Sequence, residues 1–516
     1  MTCNGSHRHV FTISCSEDAV ARCLSDPQRR PEKGITPPVP LPLRCSRAAK
    51  PGSPLPEPGC FSASPGIGRL PGRFSQPFVM TQPCVAGFDY GTSHCSISLW
   101  RDDTVVPVAV QGTDSLIEST LYAPKADFEL ELGDDAVLDM GSQSFSSLRF
   151  GAAALEAYLQ DPTEGYFVKS PKSFLGAPGL NERVKDRFIS VVAAMMANVK
   201  RHADAAAGMP VTRAVIGRPV NFQGAGGAAE NQQALSMLVA AAREAGFDEV
   251  AFLFEPMAAA LDYESRLSDE QCVLVVDIGG GTTDVSFLRA GPDRASRAAR
   301  DEDILGHAGE RLGGNDYDQL FGLQVAMPQL GLGDELRSGL PIPNHHFVDA
   351  VSINDVNAQQ RFYSRASAER FELMVRDAVV PERISRLQRL QRNRGSYRLL
   401  RQIEAGKIVL SDETEAMLDL SFLDASLSVA CDRRQLQQSS QRLLQHLAEL
   451  ISEVRNQAGV VPDLVYLTGG MARSAVVRSH LETVCRGLPL IDSDHFAAVT
   501  TGLTLWAANL FGERAA

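Results

Sequence analysis

The stretch Val273-Leu-Val-Val-Asp277-Ile-Gly279-Gly-Gly281-Thr282-Thr-Asp284-Val-Ser-Phe-Leu288 decides the fold. Four apolar, mostly β-branched residues open it and read as a buried strand. An aspartate, three glycines, two threonines and a second aspartate follow, and Val285–Leu288 is again β-prone. This is strand, glycine turn, strand. Consecutive glycines let backbone N–H groups converge with no Cβ in the way, and such a concavity takes anions. Asp277 and Asp284 would repel a phosphate directly. They make sense with a divalent cation and its waters between them and the phosphates. The hairpin therefore suggests a metal–triphosphate cradle, against the plainer reading of a tight turn with polar tips.

The pattern returns at Val85-Ala-Gly-Phe-Asp89-Tyr-Gly91-Thr92-Ser93-His94-Cys-Ser-Ile-Ser-Leu-Trp100. One long internal echo suggests two lobes of like build, each offering a phosphate-facing hairpin. Facing each other, the two could clamp a triphosphate from both sides.

At 516 residues the chain can hold two or three cored domains. A formal net charge of −12 weighs against nucleic acid as the main partner. No apolar run approaches the ~18 residues that a membrane span needs. The ten cysteines lack any Cys-x-x-Cys pair, so reduced thiols in a cytoplasmic compartment are expected and a zinc site is not. Residues 1–80 hold 13 of the 29 prolines and carry a net charge of +5, leaving −17 for the remainder. They show no periodicity and are expected to be a disordered Pro-rich extension. An Arg-rich transit peptide is one reading; translation starting at Met80, just before the first good strand, is preferred.

Further on, Tyr166-Phe-Val-Lys169-Ser-Pro-Lys172-Ser-Phe-Leu-Gly176 sets two lysines in a loop able to reach a phosphate. Residues 186–206 read as a core helix. Thr212–Phe222 reads as a strand, followed by Gly224-Ala-Gly226-Gly-Ala-Ala229, a weak dinucleotide-type turn. A helix over 228–245 and a strand over 250–254 come next. Glu255-Pro256 then ends that strand and opens a helix, placing Glu255 at the ligand edge of an α/β sheet. Gly313-Gly314 is another turn into a helix. His345-His346 reads as loop, and the arginines from Arg383 to Arg398 as a solvated helix face. Glu404, Lys407 and Ser411 fall on one helical stripe with the polarity to meet a ribose or adenine edge, or simply form an exposed ion-paired face. Asp463–Arg473 gives strand, Gly469-Gly470 turn and helix, where Arg473 could stack on a base. Residues 499–510 form a closing helix.

Taken in order, these motifs resemble the nucleotide-binding domain of the DnaK-type heat-shock chaperones, in the actin, sugar-kinase and heat-shock ATPase superfamily. The phrases VKSPKSFLG, GRPVNFQG and LTGGMARS are most similar to the YegD-like bacterial branch. The resemblance spans roughly residues 84–512. It implies an α/β, two-lobed actin-like fold of duplicated ribonuclease-H-like lobes, with nucleotide between them. Lobe I would be 84–270, with the closing helix 497–512 packed back on it, and lobe II 271–496.

By the same resemblance, Gly91, Thr92, Ser93 and His94 would form the first phosphate loop, with Asp89 holding water on Mg2+. Lys172 would orient the attacking water. Glu255 would lie in the magnesium shell. Gly279, Gly280, Gly281 and Thr282 would form the second loop. There Asp277 would poise the water and Asp284 would help to bind K+. Gly313 and Gly314 would line the cleft. Glu404, Lys407 and Ser411 would meet ribose and adenine, with Gly469, Gly470 and Arg473 on the other side of the base. The implied activity is slow ATP hydrolysis driving a lobe-closure switch. The implied partners are ATP/ADP, unfolded or specific protein clients, and an exchange factor or co-chaperone.

Departures stand beside this. A glycine near Gly227 replaces the family's relay arginine, Lys172-Ser173 replaces a lysine–arginine pair, and Asp494 is an uncertain match at the adenine end. The chain stops soon after the closing helix, so the family's substrate-binding domain is not expected in it. A small-molecule kinase of the same superfamily and an actin-like filament former remain as alternatives.

Overall fold

The computed structural model describes residues 84–125, 147–160, 162, 164–177, 179–222, 228–294, 300–493 and 497–512. The 1–80 extension, most of the Gly224–Ala229 turn with Gly227, and Asp494 lie outside them. The described residues belong to one unit, Pro42–Ala516.

Two five-strand paths with the same topology organise it. In the first sheet, β1 (Val85–Tyr90) pairs antiparallel with β2 (His94–Arg101), which pairs with β3 (Thr104–Pro107). On its other side β1 runs parallel to β4 (Arg213–Arg218), followed by β5 (Glu249–Phe254). In the second sheet, β6 (Gln271–Ile278) pairs antiparallel with β7 (Thr283–Ala290), which pairs with β8 (Ile304–Glu310). On the far side, β6 runs parallel to β9 (Leu464–Thr468), and β9 to β10 (Leu490–Asp492). Each path thus reads as a three-strand meander continued by two parallel strands. The echo in the sequence is an echo in the fold: Asp89 and Asp277 each stand one residue before the end of the central strand.

Burial explains the apolar strands. Val273–Val276 are all fully covered, because helices pack on both faces of the sheet. Between the sheets lie α1 (Glu255–Glu264) and α2 (Ala498–Phe511). Ala258, Leu261, Leu503 and Trp506 join Val85 and Val215 of the first sheet to Val275 and Tyr466 of the second in one core. The closing helix rests on β1, β2 and β4. Glycine fits the helix pair together: a Cβ on Gly502 would fall 2.9 Å from Ala258 Cα. Larger separate cores fill the outer side of each sheet. Among the described residues no helix is long and apolar enough to cross a membrane.

Candidate functional site

Each β-meander begins with a hairpin whose tip leaves the sheet at the same edge, and the two tips meet. A Cβ on Gly281 would fall 2.6 Å from Thr92 Cγ2, and one on Gly280 would overlap the Ser93 side chain. Only glycine allows this approach. The cleft around the tips is lined by Asp89, Gly91–His94, Glu255, Asp277, Gly279, Gly280, Thr282, Gly469 and Gly470.

Lys172 sits in the 3₁₀ turn Pro171–Phe174, 4% exposed, and its Nζ donates to Glu255 Oε1 at 2.6 Å. Burial works against its charge, but Glu255 and Asp89 outweigh burial and hold the ammonium firmly protonated. Glu255 is the first residue of α1 rather than the last of the strand. Burial, then the charge of Glu255, pushes Asp89 up to about 7, with Lys172 opposing. Asp277 is also held well above the ordinary carboxylate range, by burial and then by Glu255, Asp284 and Asp89. Burial and Glu255 lift Asp284 to about 7 against the pull of the Val220 N–H. Four carboxylates thus share one lysine.

That donor set fits a divalent cation, which is hard and takes oxygen ligands. Thr468 faces the same side as its register partner Asp277, and its buried hydroxyl has no partner among the described residues. No three His, Cys, Asp or Glu among the described residues converge as a direct metal site requires. A cation here would therefore keep waters and lean on phosphate oxygens, as magnesium does.

The other expected residues divide. Gly469 adopts φ 81° and packs against the Asp277 carboxylate and the Ile278 carbonyl, so its missing side chain keeps the Asp277 edge open. Gly313 and Gly314 brace the second hairpin from behind: Gly314 N donates to Gly279 O at 2.9 Å and Asn315 N to Gly280 O at 2.8 Å. Asp284 does not line the cleft, and its Oδ1 accepts from Val220 N at 2.8 Å. Lys407 is buried, donating to Gly314 O and pairing with Asp318 at 2.9 Å. Glu404 lies 3.9 Å from Lys169 and 3.4 Å from Arg401. Ser411 lies beyond them on the same helix, where its carbonyl accepts from Arg433. Arg473 is exposed. None of Glu404, Lys407, Ser411 and Arg473 lines the cleft.

Sequence reasoning passed over Leu116 and Val499, which close the cleft's apolar side. Their signal is only that of ordinary core residues. It also passed over Arg311, beside the Gly313 turn.

Known proteins support the same reading. The family model described as Hsp70 protein matches residues 179–323. The Chaperone protein dnaK3 of Thermosynechococcus vestitus is 26% identical over 447 residues, covering 83% of this chain and 55% of that protein. The Heat shock 70 kDa protein 13 of Homo sapiens is 27% identical over 268 residues, 48% of this chain and 52% of its own. The Chaperone protein HscA homolog of Rickettsia peacockii is 26% identical over 309 residues, 55% and 46% respectively. The chain spans about half the length of the curated relatives it matches. With a family match across the second hairpin and relatives of this kind along most of its described residues, the chain is similar to proteins of the Hsp70 family.

Proposed function

We propose that this chain binds ATP with magnesium in the cleft and hydrolyses it slowly, using closure of lobes 84–270 and 271–496 as a chaperone-type switch. The supporting observation is the contact of two glycine hairpins above one buried lysine, three buried carboxylates and the half-buried Asp89. Backbone N–H groups at the two tips, Thr92–Ser93 and Gly280–Gly281, would be donors to phosphate oxygens. Bound magnesium would neutralise phosphate charge. Asp89, Glu255 and Asp277 would hold its waters.

Hydrolysis joins a water oxygen to the terminal phosphorus and breaks its bond to the bridging oxygen. ADP leaves with the bridging oxygen, and the water's proton passes to the released phosphate or a nearby carboxylate. Lys172, charged and fixed by Glu255, orients that water. Asp277, on the opposite hairpin, accepts a hydrogen bond from it. Positioning and charge neutralisation carry such a reaction, so few groups need move. Asp284 braces Val220 across the two lobes and has a second oxygen for a monovalent cation, with potassium expected. Clients, an exchange factor and a cytoplasmic setting go with this reading.

The test is magnesium- and potassium-dependent ATP turnover by the full chain beside Lys172→Ala and Asp277→Asn. Both variants should still bind nucleotide and lose about 100-fold or more in turnover. Unchanged turnover in both would reject the assignment.

A further inference from the structure

Behind the paired hairpins lies a second, smaller crevice. Thr92, Lys172, Ser173, Gly281, Thr282 and Arg311 line it. Thr92 and Thr282 also line the front cleft, so the two spaces meet at those hydroxyls. Of the lining residues only Lys172 and Arg311 are cations. Lys172 is committed to Glu255. Arg311 is half-buried, yet among the described residues its guanidinium has no hydrogen bond or ion pair. Asp316 senses its charge, but one Asp316 oxygen already accepts from Gly313 N at 2.8 Å. A partly buried guanidinium carries five donors and is costly to leave without an acceptor. Its position at the back of the phosphate loops selects a small oxyanion.

We propose that Arg311 is the anion-holding group of a rear phosphate site, gripping the terminal phosphoryl group of bound nucleotide and then the orthophosphate cleaved from it. This rests on the ATP reading of the front cleft. A guanidinium suits the task because it stays charged throughout and offers a planar fork to two phosphate oxygens. Ser173, beside Lys172, adds no charge, so Arg311 brings the second positive charge from the opposite hairpin's sheet. In cleavage, negative charge spreads over the terminal oxygens and the bridging oxygen. Arg311 takes up part of the first without moving a proton. After cleavage the same contact holds orthophosphate while ADP is still in the front cleft.

The test uses the full chain and Arg311→Ala, Arg311→Gln and Arg311→Lys. Three quantities are measured: ADP dissociation with and without inorganic phosphate, single-turnover ATP cleavage, and thermal melting. In the wild type, inorganic phosphate should slow ADP release. The Ala and Gln variants should lose that effect, bind ADP alone as before, and cleave about 10–100-fold more slowly. The Lys variant should recover part of both, which a purely structural role would not give. An absent phosphate effect in a wild type that binds ADP overturns the rear site. So does an effect retained by whichever of the Ala and Gln variants melts like the wild type. Both results leave the front cleft standing. A wild type that neither binds ADP nor cleaves ATP overturns the front-cleft reading and the rear site with it.

Discussion

A buried carboxylate is expensive, and this protein gathers three, with the half-buried Asp89, around one lysine. Asp89 and Asp284 are pushed up to about 7 from an ordinary 3.8, and Asp277 is raised as well. The sign of the stability effect follows. Between about pH 4 and pH 7 the folded state holds protons that the unfolded chain releases. Stability of the nucleotide-free protein is therefore greatest below the unfolded value and is lost as pH rises through about 7. A bound magnesium ion would offset the same charges. Thermal melts of the free protein should show a midpoint several degrees higher near pH 5 than at pH 8, and magnesium–ADP should flatten the slope. Asp277→Asn should be more stable than wild type at pH 8 while losing turnover. A free protein whose melting point rises from pH 5 to pH 8 would contradict this charge balance.

At the scale of elements, the glycine that matters most for packing lies in the closing helix. Gly502 abuts the Ala258 backbone, and Gly87 of β1 abuts Leu503 and Thr504. Ser96 bonds Thr500 and Thr504 reaches Ser98 O, so strand and helix also share polar ties. Helix propensity alone favours Gly502→Ala by about 1 kcal/mol. The lost approach costs about 1–3 kcal/mol and should win. Urea denaturation is expected to show net destabilisation of Gly502→Ala, and a stabilised variant would mean the two helices are not locked here. Such contacts mark the limit of what is legible in a sequence. The two Asp-x-Gly motifs were readable because a hairpin's chemistry is local: strand, carboxylate and tip are adjacent. The duplicated topology followed from their repetition. The polar stripe Glu404, Lys407 and Ser411 was right as helical geometry. Its partners are tertiary, however, and Asp318 and the Gly314 carbonyl claim Lys407. Arg311 belonged to no motif, since its meaning comes from a crevice assembled by five separate stretches of chain.

Across the whole molecule, the halves touch at sites outside the hairpins, and these should set how long nucleotide stays. Tyr158 and Phe167 from the first half enclose Tyr397 from the second, with ring centroids 5.3 and 4.8 Å away. Tyr158 also donates to the Arg394 carbonyl at 2.8 Å. One helical turn beyond Tyr397, Arg401 reaches Glu118 at 2.9 Å, and Glu404 lies near Lys169. The aromatic contact is better shielded than the ion pair, with Tyr158 buried and Phe167 and Tyr397 half-buried, and should outweigh it. Arg401 is 46% exposed, and such pairs contribute little in salt. An aromatic pair is worth about 0.5–1.5 kcal/mol beyond its area. Tyr397→Ala should therefore speed nucleotide release by roughly 2–10-fold. Arg401→Ala should have a smaller effect that fades as salt is raised. Both act on opening rather than on bond cleavage, so single-turnover hydrolysis of pre-bound ATP should be nearly unchanged. Stopped-flow release of a fluorescent ADP analogue, read at low and high salt, separates the two. If Tyr397→Ala releases nucleotide at the wild-type rate, opening does not pass through this aromatic contact.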